Sequence, residues 1–168
     1  MELRRIPSGA LAGAVAAAVW AAQQPLDKRV FRCDYDDVEL LGTLVTRDSG
    51  WQAAGLAIHM ANGAAFGAVY SLVRPLVPGP PQLAGVTAGL AEHVATWPLT
   101  ALVDRQLAGN RRAFAQSAWR HALFGLVLGE VERRLNAKGQ FEPLEQVPVS
   151  SNGHGNIEHA AAGATEAP

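Results

Sequence analysis

The segment Ser49–Val73 reads SGWQAAGLAIHMANGAAFGAVYSLV and contains no Asp, Glu, Lys or Arg. Two other segments have the same character: Ile6–Leu26 has no charged side chain, and Pro75–Val103 has only Glu92. An apolar helix of about 20 residues, rising about 1.5 Å per residue, crosses the hydrocarbon layer of a bilayer, which is about 30 Å thick. These segments therefore predict membrane-spanning helices.

The same criterion extends to a fourth, less apolar segment, which contains Arg120 and ends close to Glu130 and Glu132. We therefore predict an all-α, polytopic membrane protein whose helical domain covers residues 1–138. The four transmembrane helices are expected at about residues 8–26, 51–73, 82–103 and 113–135. The remaining residues, 139–168, are polar and small, which predicts a disordered tail.

Composition excludes several classes of function. The chain is 49% hydrophobic and only 17% charged, against roughly a quarter charged in an ordinary soluble domain. Its 14 basic and 15 acidic residues offer no broad cationic surface for nucleic acid. The single cysteine, Cys33, excludes an intramolecular disulfide and a cysteine metal cluster. No Ser-His-Asp order, phosphate loop or zincin signature is present, so we predict no catalytic residues, no metal and no cofactor.

The first connection, residues 27–50, is the longest one and contains its own helical pattern. Asp36 and Asp37 lie where a helix N-terminus favours negative charge, and Val38, Leu41 and Val45 follow at helical spacing. This predicts a short amphipathic helix at about residues 36–46 on the membrane surface. The alternative is a loop helix packed on the end of the bundle.

The predicted helices show an internal repeat. The first and third share Leu-Ala-Gly followed later by Pro-Leu, and the second and fourth share a His-Gly-Gly-Val spacing. The matching residues are Leu11–Gly13 with Leu83–Gly85, Pro25–Leu26 with Pro98–Leu99, and His59, Gly63, Gly67 and Val69 with His121, Gly125, Gly129 and Val131. We interpret the repeat as a duplicated helical hairpin. Arg4 and Arg5 before an Ala-rich core also resemble a secretory signal, but the repeat favours a retained first helix.

Each predicted helix contains two glycines four residues apart. Such small faces let helix backbones approach closely in lipid. The helix-packing residues are predicted to be Gly9, Gly13, Gly63, Gly67, Gly85, Gly89, Gly125 and Gly129. These faces serve either the internal fold or, alternatively, a homodimer or another membrane partner.

Five ionisable side chains fall in the interior of the predicted spans, away from their ends, and we call them the polar layer. At about 1.5 Å per residue the histidines and the glutamate lie roughly 12–16 Å below one face, with the arginine less than one turn away. The polar layer consists of His59, Glu92, His93, Arg120 and His121. Ionisable groups at this depth are costly unless they face each other or water, so they are candidates for function.

Three chemistries fit the polar layer. Glu92 and Arg120 would form a charge-neutralising pair. Glu92 and the histidines would relay protons. Imidazoles with a carboxylate would bind zinc or iron, or His59 and His121 would ligate a haem. The alternative is structural, with the histidines hydrogen-bonded across helices to polar side chains, which would be Gln23, Asn62, Thr96 or Ser117.

The order of these motifs resembles the YagU-like family of bacterial inner-membrane proteins. The motifs are Leu-Ala-Gly to Pro-Leu in the first and third helices, His followed by Gly in the second, and His followed by Glu-x-x-Arg-Arg in the fourth. The resemblance covers approximately residues 8–138. It implies a multi-pass protein of the bacterial cytoplasmic membrane with four helices, and it assigns no chemistry.

Two functional hypotheses follow from the sequence. The first is a conduit for a small solute, an ion or protons, lined by the polar layer within the lipid bilayer. The second is a structural or accessory membrane subunit that packs through its glycine faces. They differ in whether the polar layer faces one cavity.

Overall fold

Helices make up all of the regular secondary structure in the computed structural model, which describes residues 2–137. Five α-helices follow one another in this part of the chain, connected by short turns that include 3-10 helices. They are α1 (Arg5–Phe31), α2 (Asp37–Thr43), α3 (Trp51–Val73), α4 (Pro81–Val103) and α5 (Arg111–Ala137). The predicted tail, 139–168, lies outside the described residues.

Helix α1 differs most from its predicted bounds because it continues past Pro25 to Phe31. A proline removes one helical N–H donor, but the helical turn that follows Pro25 is stabilised by a contact with another helix. The carboxylate of Asp27 binds the guanidinium of Arg120 on α5. The helix then ends at Arg32, whose φ of 51° places it in the left-handed region.

Helix α2 begins at a side-chain cap. Asp36 Oδ1 accepts hydrogen bonds from the backbone N–H groups of Val38 and Glu39. Burial raises the pKa of Asp36, but its hydrogen bonds and ion pair with Lys28 outweigh burial and hold the pKa below its ordinary value.

Both ends of α2 pack against α3 with almost no space between the backbones. A Cβ added to Gly42 would lie 2.1 Å from the carbonyl oxygen of Trp51. A Cβ added to Gly55 would lie 1.9 Å from the carbonyl oxygen of Val38. Helix α2 is therefore packed on the bundle, which is one of the two alternatives given for this segment.

The predicted glycines lie at two helix–helix contacts. Helix α1 packs on α3, where a Cβ on Gly13 would lie 1.9 Å from the carbonyl oxygen of Gly63. Helix α4 packs on α5, where a Cβ on Gly85 would lie 2.0 Å from the carbonyl oxygen of Gly125. The remaining members extend the same contacts: Gly9 and Gly67 on the first pair, Gly89 and Gly129 on the second.

Small apolar residues and polar residues make up most of the interior together with a few large apolar side chains, whereas many large apolar residues lie outside. Ala12, Ala16 and Ala17 are fully buried around Trp20. The buried polar side chains are Gln24, Asp27, His59, Ser71, His93, Gln116, Ser117, Arg120, His121 and Glu132. Exposed large apolar side chains occur on every long helix, among them Leu11, Val19, Leu56, Val69, Leu83, Leu90, Val94, Leu102, Trp119 and Leu126.

Two of the described helices are both long enough and apolar enough to cross a membrane. They are Arg5–Phe31 and the segment Trp51–Leu76, judged by length and composition alone. The other two long helices, α4 and α5, have sufficient length at 23 and 27 residues. They do not meet the same standard of apolarity, so the prediction of four spans is supported for only two.

Candidate functional site

A cavity of about 550 Å³ is lined mainly by α3 and α4, with further residues from α1, α2 and α5. Four members of the polar layer line it: His59, Glu92, His93 and His121. We call these four residues the histidine cluster. The fifth member, Arg120, is not among the lining residues. The sequence thus located four side chains, from three helices, that the fold brings to one cavity.

The strongest contact in the histidine cluster joins His121 and Glu92, with 2.6 Å between Nε2 and Oε2. The other ring nitrogen of His121, Nδ1, lies 2.7 Å from the carbonyl oxygen of Ser117. A carbonyl oxygen only accepts, so Nδ1 carries the proton in that bond. The Nε2–Oε2 contact therefore contains one further proton, which is held either by His121 as an imidazolium or by Glu92 as a carboxylic acid.

Ser117 extends this contact to His93. Its hydroxyl oxygen lies 3.2 Å from His93 Nδ1 and 3.4 Å from His121 Nδ1. The rings of His93 and His121 are close, with centroids 4.9 Å apart. A line of exchangeable protons thus runs from Glu92, whose side chain is 37% exposed, to His93, which is 2% exposed.

Two imidazole nitrogens of the cluster have no hydrogen-bond partner among the described residues. These are Nε2 of His59 and Nε2 of His93, and both residues are more than nine-tenths buried. A buried polar atom without a partner costs about 1–3 kcal/mol of stability. Both residues line the cavity, but neither of these two nitrogens is itself exposed to it.

Aromatic side chains form much of the remaining wall. Trp20 makes edge contacts with His59 and His121, with ring centroids 5.2 and 4.6 Å apart. Tyr35 and Trp97 are in edge contact at 6.2 Å. The site therefore combines hydrogen-bonding groups with extended π faces.

Arg120 has a different environment from the one that the sequence suggested. Its Nε and Nη2 each donate to Asp27 at 2.6 Å, and its Nη1 donates to Asp37 at 2.6 Å. Nη2 also donates to the carbonyl oxygen of Tyr35 at 3.0 Å. The proposed pairing of Arg120 with Glu92 is therefore wrong, because two other carboxylates surround this guanidinium.

Arg120, Asp27 and Asp37 form what we call the ion-pair cluster, and its carboxylates are well supplied with donors. Asp27 also accepts from the side-chain amides of Gln23 and Gln116. Asp37 also accepts from the indole of Trp20 and the hydroxyl of Tyr35. Burial, together with the negative charge of Asp37, raises the pKa of Tyr35, which keeps that hydroxyl protonated and donating.

The sequence analysis did not identify Asp27 or Asp37 as members of a site. A signal was present, because Asp27 lies near the C-terminus of α1, where the helix dipole disfavours a negative charge. Arg120 was likewise the only basic residue in the interior of the fourth predicted span. A carboxylate in an unfavourable position and an isolated arginine inside a span each need an opposite charge, so each could have been predicted as the partner of the other.

A second polar cluster lies near the opposite end of α5. The carboxylate of Glu132 accepts from Arg5 at 3.1 Å, from Ser71 at 2.9 Å and from Asn136 at 2.9 Å. Together with the Asp27–Arg120 contact, the Arg5–Glu132 contact makes α1 antiparallel to α5. Polar contacts therefore hold the bundle together near both of its ends.

The arrangement does not favour a metal or haem. No group of three or more His, Cys, Asp or Glu side chains in residues 2–137 has the geometry to hold a metal ion. The haem hypothesis required His59 and His121 to face each other across a porphyrin. Both rings instead contact the indole of Trp20.

The cavity thus brings imidazole, carboxylate and hydroxyl groups together with aromatic side chains. The resemblance to the YagU-like family stays a prediction. No protein-family model, no curated protein and no solved structure matches the chain.

Proposed function

We propose that this chain is a four-helix integral membrane protein of the bacterial cytoplasmic membrane, and that its cavity is part of a conduit for a small solute, an ion or protons. The exposed surface supports the membrane assignment. Large apolar side chains such as Leu83, Leu90 and Val94 lie outside, whereas charged residues such as Asp27 and Arg120 lie inside. This distribution suits a lipid surrounding, in which apolar exteriors carry no penalty.

The helix contacts support a duplicated hairpin. Gly13 and Gly63 meet in the first helix pair, and their repeat equivalents, Gly85 and Gly125, meet in the second. The outer contact repeats as well, because Gly9 meets Gly67 and the equivalent Pro81 meets Gly129. Two hairpins with matching contacts account for four spans, two of which are less apolar because they contain more of the polar groups.

The observation that carries the conduit proposal is the convergence of the histidine cluster on one cavity. Glu92, His121, Ser117 and His93 form a line of groups that can each hold or pass a proton. His59 and His93, which each have a buried Nε2 atom without a partner among the described residues, are both in this cluster and both line the cavity.

The alternative function, an accessory subunit that packs through glycine faces, receives less support. Each glycine pair is already in contact with a partner helix of the same chain. A homodimer or another membrane protein would therefore have to use the outer apolar surfaces.

A proton-flux assay tests the proposal. The protein would be reconstituted in vesicles that contain a pH-sensitive dye, with valinomycin and potassium to balance charge, and a pH step would be applied. We expect faster dissipation of the gradient than in protein-free vesicles, and loss of this flux in Glu92→Gln.

Glu130→Gln is the matched control, because Glu130 makes its contacts with Gln82, Arg133 and Arg134, away from the cavity. It should conduct like the unaltered protein. Flux equal to that of empty vesicles would contradict a conduit for protons, and a Glu92→Gln variant that conducts normally would contradict the role of Glu92 in it.

A further inference from the structure

The charge on the cavity wall has one sign. Among the described residues, Asp37 and Glu92 are the only Asp, Glu, Lys or Arg side chains that line it. Asp37 shares the single positive charge of Arg120 with Asp27, so these three groups together carry one net negative charge. In a medium of low dielectric constant, such a wall attracts cations and repels anions.

The aromatic wall favours the same sign of charge. Five aromatic side chains line the cavity: Trp20, Tyr35, Phe66, Trp97 and Phe124. The face of an aromatic ring attracts a cation through its quadrupole, by about 0.5–2 kcal/mol per contact depending on desolvation. A volume of about 550 Å³ is in the range of sites for drug-sized molecules, roughly 300–1,000 Å³.

The two histidines that have an unpaired ring nitrogen also line the cavity. Nε2 of His59 and Nε2 of His93 are buried and lack a hydrogen-bond partner among the described residues. A bare metal ion finds no group of three ligands among the same residues.

We propose that the cavity binds an organic cation, such as a lipophilic amine or onium ion, with Glu92 as its counter-ion, and that binding displaces one proton from the Glu92–His121 contact. The proposal rests on the proposed function for its assumption that the cavity is a ligand site, and it adds the substrate class and the coupling.

The proton balance follows from the hydrogen bonds. Nδ1 of His121 keeps its proton because it donates to the carbonyl oxygen of Ser117. The proton between Nε2 and Glu92 makes this pair neutral overall. When a cation pairs with the Glu92 carboxylate, that proton leaves to water, His121 becomes neutral, and the charge of the site is unchanged.

Asp37 is the other carboxylate among the described residues that line the cavity, and it is already paired with Arg120. It approaches the Glu92–His121 pair from α2, Tyr35 approaches from the turn before α2, and His59 from α3 and His93 from α4 line the same cavity. Arg120 lies on the same helix as His121 but is held by two carboxylates. From α1 the neighbouring side chain is the uncharged Trp20.

Equilibrium binding to the purified full chain in detergent tests this, with heats from empty micelles subtracted. The probes are tetraethylammonium, tetraphenylphosphonium and tetraphenylborate, the last two being similar in shape and opposite in charge. Calorimetry in two buffers of different ionisation enthalpy gives the number of protons released. We expect at least one cation to bind with release of about one proton, and at least ten-fold weaker binding of the borate.

The Glu92→Gln variant should bind the cation at least ten-fold more weakly and release no proton, whereas Glu130→Gln should behave like the unaltered protein. The charge discrimination and the proton count need no variant, so misfolding of Glu92→Gln would leave both measurements intact. Failure of both cations to bind, equal binding of the borate, or binding without proton release would overturn the proposal.

This outcome is separable from that of the flux assay. Cation binding with proton release but no flux would contradict the conduit and leave the binding site. Proton flux without cation binding would contradict the substrate class and leave the conduit.

Discussion

The ion-pair cluster and the histidine cluster lie next to each other on α5, through Arg120 and His121, yet they differ in how well their polar atoms are paired. Five other side chains donate hydrogen bonds to the carboxylates of Asp27 and Asp37. One of the five, Arg120, donates to both carboxylates through different nitrogens of its guanidinium. His59 and His93 each leave a buried nitrogen without a partner. The first pattern is typical of a structural contact between helices, and the second is typical of a ligand-binding site.

The largest effect on stability should come from disrupting the ion-pair cluster. Arg120→Met leaves the buried carboxylate of Asp27 and the partly buried carboxylate of Asp37 without their counter-charge, and we expect a loss of about 3–5 kcal/mol in the free energy of unfolding. Thermal unfolding in detergent measures this. The double variant Arg120→Met/Asp27→Asn should regain part of the loss, because the remaining carboxylate, Asp37, keeps its donors from Tyr35 and Trp20. A double variant no more stable than Arg120→Met would show that the charges do not act as a pair.

The helix contacts that frame both clusters should be the next most sensitive. Gly13→Val places side-chain atoms against the backbone of Gly63 and forces α1 away from α3, at a cost of about 1–3 kcal/mol. Gly50→Ala is the matched control, because its added Cβ would have 4.0 Å to the nearest neighbour. Similar unfolding temperatures for the two variants would argue against close glycine packing.

A smaller effect should appear at Asp36, beside the ion-pair cluster. Its pKa in the folded protein is below the ordinary value of 3.8. The stability that it contributes is therefore fully present above that value and is lost as the pH falls below it. Asp36→Ala should cost about 0.5–2 kcal/mol at neutral pH through loss of the helix cap. Asp36→Asn retains a cap, so its unfolding temperature should fall less than that of the unaltered protein between pH 5 and pH 3; an equal fall would contradict this.

The smallest effect, or one of opposite sign, should come from the histidine cluster. His59→Leu replaces an unpaired buried nitrogen by apolar atoms of similar bulk, and removing an unsatisfied polar group relieves a penalty. We expect stability unchanged within about 0.5 kcal/mol or increased. Thermal unfolding under the same detergent conditions would check this. A loss of more than about 2 kcal/mol would mean that His59 is structural, like Arg120.

The sequence predicted helices and their contact faces more reliably than it predicted partners. The absence of charged residues predicted both end residues of α3 correctly, and the glycine spacing predicted the helix faces that pack together. Helical spacing also placed the histidines and Glu92 at one depth, which is a local property of each helix. The partner of Arg120 depended on the continuation of α1 past Pro25 and on the position of α2, and both are set by tertiary contacts that no local pattern contains.

The small, polar interior also determines how folding would respond to temperature. In a soluble protein, unfolding exposes apolar surface to water and therefore carries a large positive change in heat capacity. Here many of the large apolar side chains already face outward, and in a bilayer they would contact lipid before and after the helices separate. Separation of the helices would then have a heat-capacity change far below that of a soluble domain of this size, and stability would vary almost linearly with temperature. The bundle would accordingly lack the loss of stability at low temperature that is seen when a core is stabilised by the hydrophobic effect in water.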